Sequence, residues 1–184
     1  MPEKKIIIGL VGPIASGKGT VKAYLQEKYG ATEFRFSSIL RDALDVLGIE
    51  KTRDNLIDLS TWGREKSGDD MLAKAMAKKI ETSDEKIIVI DGIRRLGDID
   101  HIKEMEGFHM IAIDADPETR YKRSVTRNEN PGDAEKNFYT FTKDHEKEAE
   151  RTIPETMAAA EATIDNNGEF DVLYSQIDKI MATI

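Results

Sequence analysis

Residues 12–20 read GPIASGKGT and follow directly on the apolar run Ile6, Ile7, Ile8, Gly9, Leu10, Val11. A short apolar run ahead of an amphipathic stretch predicts a buried strand, a tight turn and then a helix. The glycines and lysine fit the G-x-x-x-x-G-K spacing of a phosphate loop, in the strand-to-helix setting that gives the motif its meaning. Gly12, Gly17 and Gly19 let the backbone turn and aim N–H groups into an anion site, while the helix start adds its positive dipole end. The candidate phosphate contacts are therefore Gly12, Pro13, Ile14, Ala15, Ser16, Gly17, Lys18, Gly19 and Thr20, with Lys18 placed to bridge outer phosphates. Because Gly19 follows the lysine, the hydroxyl that could reach a magnesium ion is displaced to Thr20.

The 184 residues fit one domain, and 39% apolar residues in short distributed runs supply a core without disulfides or metal. Zero cysteines exclude a disulfide framework and a thiolate zinc site. The start, MPEKK, lacks the apolar segment of a signal peptide or membrane span, so a cytoplasmic protein with no membrane partner is expected. A net charge of −8 disfavours broad nucleic-acid or anionic-membrane binding, which needs a basic face. Any phosphate site must be local.

Apolar runs alternating with helical patterns predict an α/β fold with a parallel sheet covered by helices. The clearest strands are 5–11, 86–91 and 108–114, with weaker ones at 33–36 and 162–165. Helical spacing recurs over 17–28, 38–47, 53–66, 70–81, 97–105, 117–128, 136–160 and 169–182. Thr52 before Arg53, and Asp116 before Pro117, are helix-start signals. The polar stretch 129–142, with Pro131 and Gly132, is the expected mobile connection.

Asp91 ends a strand and is followed by Gly92, Ile93, Arg94 and Arg95. A carboxylate there, beside a phosphate loop, can hold Mg²⁺ through its water shell, because this ion needs few protein oxygens. Arg94 lies where strand gives way to loop and is the expected phosphate contact; Arg95 is expected to cap or solvate. Arg41, four residues after Ser37, could grip a second phosphate bidentately, or pair with Asp45 at helical spacing. Arg53 and Arg64 are weaker candidates of the same kind. Arg120, Lys122, Arg123 and Arg127 crowd one helix; Arg123 and Arg127, one turn apart, could neutralise charge on a transferring phosphoryl group. Lys143, Asp144, Glu148 and Arg151 are spaced for helical ion pairs. His101, His109 and His145 share no ligand spacing, and Trp62 with Met71, Met76, Met105, Met110 and Met157 reads as packing.

The motifs GPIASGKGT, FSSILRDAL, VIDGIRR, DPETRYKRSVTRNE and ATIDNNGEF occur in the order seen in P-loop nucleoside monophosphate kinases and the related dephospho-CoA kinases, so most of the chain resembles that family. The GKGT form is similar to that of its adenylate-kinase-like members. The resemblance implies a three-layer P-loop fold, a five-stranded parallel sheet flanked by helices, with a helical lid over 128–150 and an acceptor-binding helical region over 38–82. It also implies ATP as donor, Mg²⁺ as cofactor and a small nucleotide as acceptor, an enzyme of nucleotide metabolism. Carried over by motif, Ser37, Arg41, Asp91 and Arg94 would face the acceptor, Arg123 and Arg127 would stand on the lid arm, and Asn166 with Gly168 would cradle the donor base. The chain departs from the family at Lys143 and Asp144, where an Arg-Asp pair is usual.

A hydroxyl acceptor profits from a carboxylate base after the second strand, whereas a monophosphate already attacks as an anion. After Phe36 stand Ser37 and Ser38, which favours a nucleoside or deoxynucleoside monophosphate. Transfer to a hydroxyl, as in dephospho-CoA kinases, and a nucleotide-dependent switch or assembly ATPase remain the alternatives.

Overall fold

A computed structural model describes residues 5–127, 137–144 and 151–184. Five strands form one parallel sheet: β1 (Ile6–Val11), β2 (Thr32–Arg35), β3 (Ile87–Asp91), β4 (Phe108–Asp114) and β5 (Ala162–Asp165), in the spatial order β2-β3-β1-β4-β5. The central strands are apolar throughout because both of their faces are covered. Their side chains alternate between two cores. Ile7, Val11, Ile88, Ile90, Met110 and Ala112 enter one. Ile8, Leu10, Val89, Ile111 and Ile113 enter the other.

Helix α1 (Lys18–Tyr29) covers the second core; α2 (Phe36–Val46) and α3 (Arg53–Ser67) follow β2, and α4 (Met71–Thr82) covers the first core through Met76 and Ile80. Thr52 caps α3 as its sequence signal predicts, its hydroxyl accepting the Asn55 amide at 3.2 Å. Helix α5 (Pro117–Arg127) leaves β4, and the Asp116 carbonyl accepts the Arg120 amide at 2.9 Å to start it. Beyond it lie α6 (Phe138–Asp144), α7 (Ile153–Ala158) and α8 (Phe170–Met181).

Two predicted helices take other forms. Residues 97–105 make a 3₁₀ turn at Leu96–Asp98 and further turns, because the apolar residues Leu96, Ile99, Ile102 and Met105 repeat every three positions. Amide-to-carbonyl bonds link Ile99 to Leu96, Ile102 to Ile99, Met105 to Ile102 and Phe108 to Met105, which is the three-residue period of a 3₁₀ chain. Of the long helix expected over 136–160, the described residues show α6 and α7 as separate helices, with a turn at Thr152 ahead of α7. Pro154 lacks an amide hydrogen and so stands in the first turn of α7. Residues 128–136 and 145–150, including Pro131, Gly132, His145 and Glu148 of the expected lid, lie outside the described residues. Trp62, expected to pack, is 58% exposed on α3.

The seam between α1 and α8 is stapled by Asp178, which accepts hydrogen bonds from Lys28 at 2.7 Å, Tyr29 at 2.7 Å and Tyr24 at 3.0 Å. The Lys28 bond, then that of Tyr29, holds the Asp178 carboxyl below its ordinary range, and the same partnership pushes Lys28 upward. Tyr24 stacks on Tyr174 at 4.0 Å between centroids, and Tyr174 stacks on Phe170 at 6.0 Å. No helix among the described residues is long and apolar enough to cross a membrane.

Candidate functional site

The phosphate loop joins β1 to α1 at the carboxyl end of the sheet, where ligands of open α/β sheets bind. Gly12 passes so close to β4 that a Cβ there would overlap the Ile113 carbonyl oxygen and stand 2.8 Å from Ser16 Oγ. Gly17 has φ +104°, and a Cβ would collide with the Asn166 carboxamide. Gly19 needs no such freedom: it lies inside α1 with open space around it, so its expected part in the turn is not realised. The Lys18 ammonium is folded back on the loop, donating to the carbonyls of Gly12 at 2.6 Å and Pro13 at 2.9 Å.

Distant residues hold this loop in shape. Asn166, directly after β5, donates from Nδ2 to the Ser16 carbonyl at 2.7 Å, and its amide donates to Asp114 O at 2.8 Å. Arg123 on α5 donates from Nη2 to the Asn166 carbonyl at 2.8 Å. Arg120 is buried; its Nε donates to Ala115 O at 2.9 Å, Nη1 reaches Ile14 O at 3.4 Å, and the guanidinium lies 5.8 Å from the Phe141 ring of α6. It therefore braces the loop tip. Two buried polar atoms here have no hydrogen-bond partner among the described residues: Ser16 Oγ and Arg123 Nη1. Leaving buried donors unpaired costs about 1–3 kcal/mol each, so they mark a place built to receive acceptor oxygens.

Beside the loop lies a cavity of about 620 Å³ with Gly17, Thr20, Arg123, Arg127, Gly168 and Phe170 among its walls. It joins six of the sequence candidates besides Asn166: Ala15, Gly17 and Thr20 of the loop, Arg123 and Arg127 of α5, and Gly168 of the late turn. Asn166 also lines it, but its carboxamide is committed to the loop, so its role is to clamp Ser16.

The other candidates stand apart from that cavity. Ser37 and Arg41 are exposed on α2, and Arg94 is exposed after β3. Arg41 does not pair with Asp45, whose carboxylate is taken by Lys51 at 2.6 Å. Arg94 is fixed through its backbone: its amide donates to Asp98 at 2.9 Å, and its carbonyl accepts the Thr152 hydroxyl at 2.8 Å and the Thr156 hydroxyl at 3.3 Å. Arg95 caps the 3₁₀ turn through Asp98, as expected of it. Arg53 is exposed at the start of α3, and Arg64 is half-buried, its Nε without a partner among the described residues. Lys143 lies 4.8 Å from the Tyr139 ring, so it does not reach into the cavity; the Asp144 side chain lies outside the description.

Asp91 is held by cations. Lys22 Nζ lies 3.2 Å from its Oδ2 and 2.6 Å from Glu33 Oε1; Arg35 Nε lies 3.4 Å from Asp91 and also pairs with Glu33. Among the described residues no group of three or more histidine, cysteine or acidic side chains could cage a metal. One carboxylate that already attracts cations, plus the Thr20 hydroxyl in the cavity wall, suits an ion held mostly by water and substrate phosphates, which is the habit of Mg²⁺.

Lys22, Glu33, Arg35, Arg120 and Phe170 were not picked out from sequence as binding residues. Lys22 stands one helical turn after Lys18, and Glu33 and Arg35 share one face of β2; those spacings are the only local signals they carry.

Solved structures share this architecture. TT1252 from Thermus thermophilus aligns with TM-score 0.65 at 16% identity over 98% of both chains, and shikimate kinase from Bacteroides thetaiotaomicron with 0.63 at 11% identity over 97% of both. A gluconokinase from Sinorhizobium meliloti aligns with 0.58 at 14% identity, covering 100% of this chain and 94% of its own. At such identities the likeness is one of fold. Nearer in sequence are UPF0200 proteins: that of Methanocaldococcus jannaschii is 27% identical over 97% of this chain and 90% of its own length. That of Hyperthermus butylicus is 30% identical over 70% and 68%. A family model described as an AAA domain matches residues 11–141, the loop and most of the sheet with it. By that match the chain belongs to the AAA-domain family, and by the second relative it belongs with the UPF0200 proteins.

Proposed function

We propose that the protein transfers the γ-phosphoryl group of ATP, with Mg²⁺, to a nucleoside or deoxynucleoside monophosphate. The observation that carries the reading is the pair of unpartnered buried donors, Ser16 Oγ and Arg123 Nη1, set beside a lysine that rests on its own loop carbonyls. All three gain acceptors if phosphate oxygens enter. Lys18 exchanges Gly12 and Pro13 for the outer phosphates, and Arg123 adds charge to the oxygens that become more negative as the bond breaks. Arg127 lines the same cavity from one turn further along α5. The donor base rests near Gly168 against Phe170, whose ring is backed by Tyr174 and Tyr24. Thr20 and, through water, Asp91 would hold a bound Mg²⁺, which would supply positive charge to the phosphates.

On the other side of the loop, Arg94 and Arg41 are exposed guanidiniums suited to an acceptor phosphate, with Ser37 at the start of α2. Arg53 and Arg64 lie on α3 within the helical region 38–82, which we assign to the acceptor. The segment 128–150 is assigned to a lid that excludes water during transfer.

Transfer to a hydroxyl is the second reading, and Glu33 is the observation in its favour, since it places a second carboxylate near Asp91. Both carboxylates are engaged by Lys22 and Arg35, which weakens either as a base. The deciding experiment incubates the protein with ATP, Mg²⁺ and a panel of ribo- and deoxynucleoside monophosphates, with dephospho-CoA and small polyols as hydroxyl acceptors, and measures ADP. Release stimulated by a monophosphate supports the reading; stimulation by hydroxyl acceptors alone, or slow release indifferent to all of them, refutes it.

A further inference from the structure

Lys22 lies one turn beyond Lys18 on α1, so the two side chains leave the same face of the helix. Its side chain is only 12% exposed, and it is divided between two carboxylates at unequal distances: Glu33 at 2.6 Å and Asp91 at 3.2 Å. With Arg35 included, the cluster holds two negative and two positive groups and is neutral as a set. Asp91 is the carboxylate assigned above to the nucleotide's divalent ion, and Lys22 lies against it. A flexible four-carbon stem with a nearer second partner is suited to leaving Asp91 without losing its neutralisation.

We propose that Lys22 is a resident counter-cation that competes with the metal–nucleotide complex for Asp91 and yields to it by resting on Glu33. Lys22 is thus a positioning residue that sets how tightly the divalent ion is held, and Glu33 is the anchor that lets it yield. The proposal rests on the phosphoryl-transfer reading only in taking Asp91 as the group that faces the metal. Lys22 and the ion compete for one carboxylate, so removing the lysine strengthens ion binding and removing its anchor weakens it. A part-exposed ion pair of this length shifts the competition by about threefold to tenfold.

The test measures free Mn²⁺ by electron paramagnetic resonance while the ion is titrated into folded protein saturated with ADP, with the ADP assayed at the end of each titration because two ADP can be converted to ATP and AMP. Lys22→Met is expected to bind Mn²⁺ about threefold to tenfold more tightly than wild type, and Glu33→Gln to bind it more weakly by a similar factor. Lys22→Arg, which keeps the charge, is expected to stay close to wild type. Lys28→Met removes an equal charge further along the same helix, and no change there shows that the effect is local. ADP affinity in EDTA should not fall in Lys22→Met. A fall there would make Lys22 a phosphate contact and overturn the proposal, as would unchanged Mn²⁺ affinity in Lys22→Met. If Lys22→Met does not fold, Glu33→Gln decides the matter alone: Mn²⁺ affinity equal to or above wild type refutes the idea. Failure of wild type to bind Mn²⁺ in the presence of ADP would overturn both this proposal and the reading beneath it, whereas ordinary Mn²⁺–ADP binding indifferent to Lys22 and Glu33 would overturn this proposal only.

Discussion

Asn166→Ala should loosen the phosphate loop from a position outside it. The substitution deletes the 2.7 Å bond from Nδ2 to the Ser16 carbonyl, and Asn166 is 95% buried, so the carbonyl loses its partner without immediate access to water. A buried acceptor left unpaired costs about 1–3 kcal/mol. That cost divides between folding and binding. In the free protein the loop can relax and let water reach Ser16 O, which spares stability. A bound nucleotide forces the loop back to its original shape, and the relaxation is then reversed at the expense of affinity. The stability loss and the binding loss should therefore sum to about 1–3 kcal/mol; if all of it falls on binding, ATP affinity drops by about 5- to 150-fold. Calorimetric titration with ATP and Mg²⁺, together with urea denaturation of the same samples, gives both terms. Wild-type affinity together with wild-type stability would refute the assignment of Asn166 as the loop's clamp.

Lys18→Ala should fold normally and lose at least about a hundredfold in turnover, the scale of one transition-state contact, in a coupled ADP assay. Gly12→Ala should fail to bind nucleotide because its methyl meets the Ile113 backbone, whereas Gly19→Ala, in open space within α1, should bind normally and melt slightly higher. Arg94→Ala and Arg41→Ala should raise the acceptor KM while leaving ATP affinity in place; collapse of ATP affinity instead would mean that the two sides are reversed. Asp178→Asn should destabilise the protein at neutral pH. Because the folded carboxyl titrates below its ordinary value of 3.8, its contribution is present above that pH and lost as pH falls through the folded value. The difference in urea midpoint between wild type and variant should thus be level near pH 6–7 and shrink below about pH 4.

The strand, loop and first helix were legible because their determinants are consecutive: an apolar run, glycines and a lysine within fifteen residues. All five strands were legible for the same reason, and so was the Thr52 cap. What pairs across the chain was not. Lys22 and Asp91 are 69 residues apart, Arg120 and Ile14 are 106 apart, and Asn166 and Ser16 are 150 apart, so no local spacing announces them. Arg120 shows the cost: in sequence it is one more basic residue on a crowded helix, while in the structure it is buried against the loop tip and serves as a brace. The stretch 97–105 was misread because a three-residue apolar repeat and a 3.6-residue repeat differ little over nine positions.

The order β2-β3-β1-β4-β5 gives the loop-bearing strand one neighbour on each side, and the residues assigned to the two substrates follow that division. Arg123, Asn166, Gly168 and Phe170 come from segments after β4 and β5; Ser37, Arg41, Asp91 and Arg94 come from the ends of β2 and β3. β1 and its loop belong to both sets, and so does Asp91, which the divalent ion ties to the donor. Substitutions that retune the choice of acceptor therefore fall on segments that share few neighbours with those holding the donor, and descendants of one ancestor could change one partner while inheriting the other. In such a lineage the central strand and its loop would drift slowest, and the two outer margins of the sheet would diverge at rates of their own.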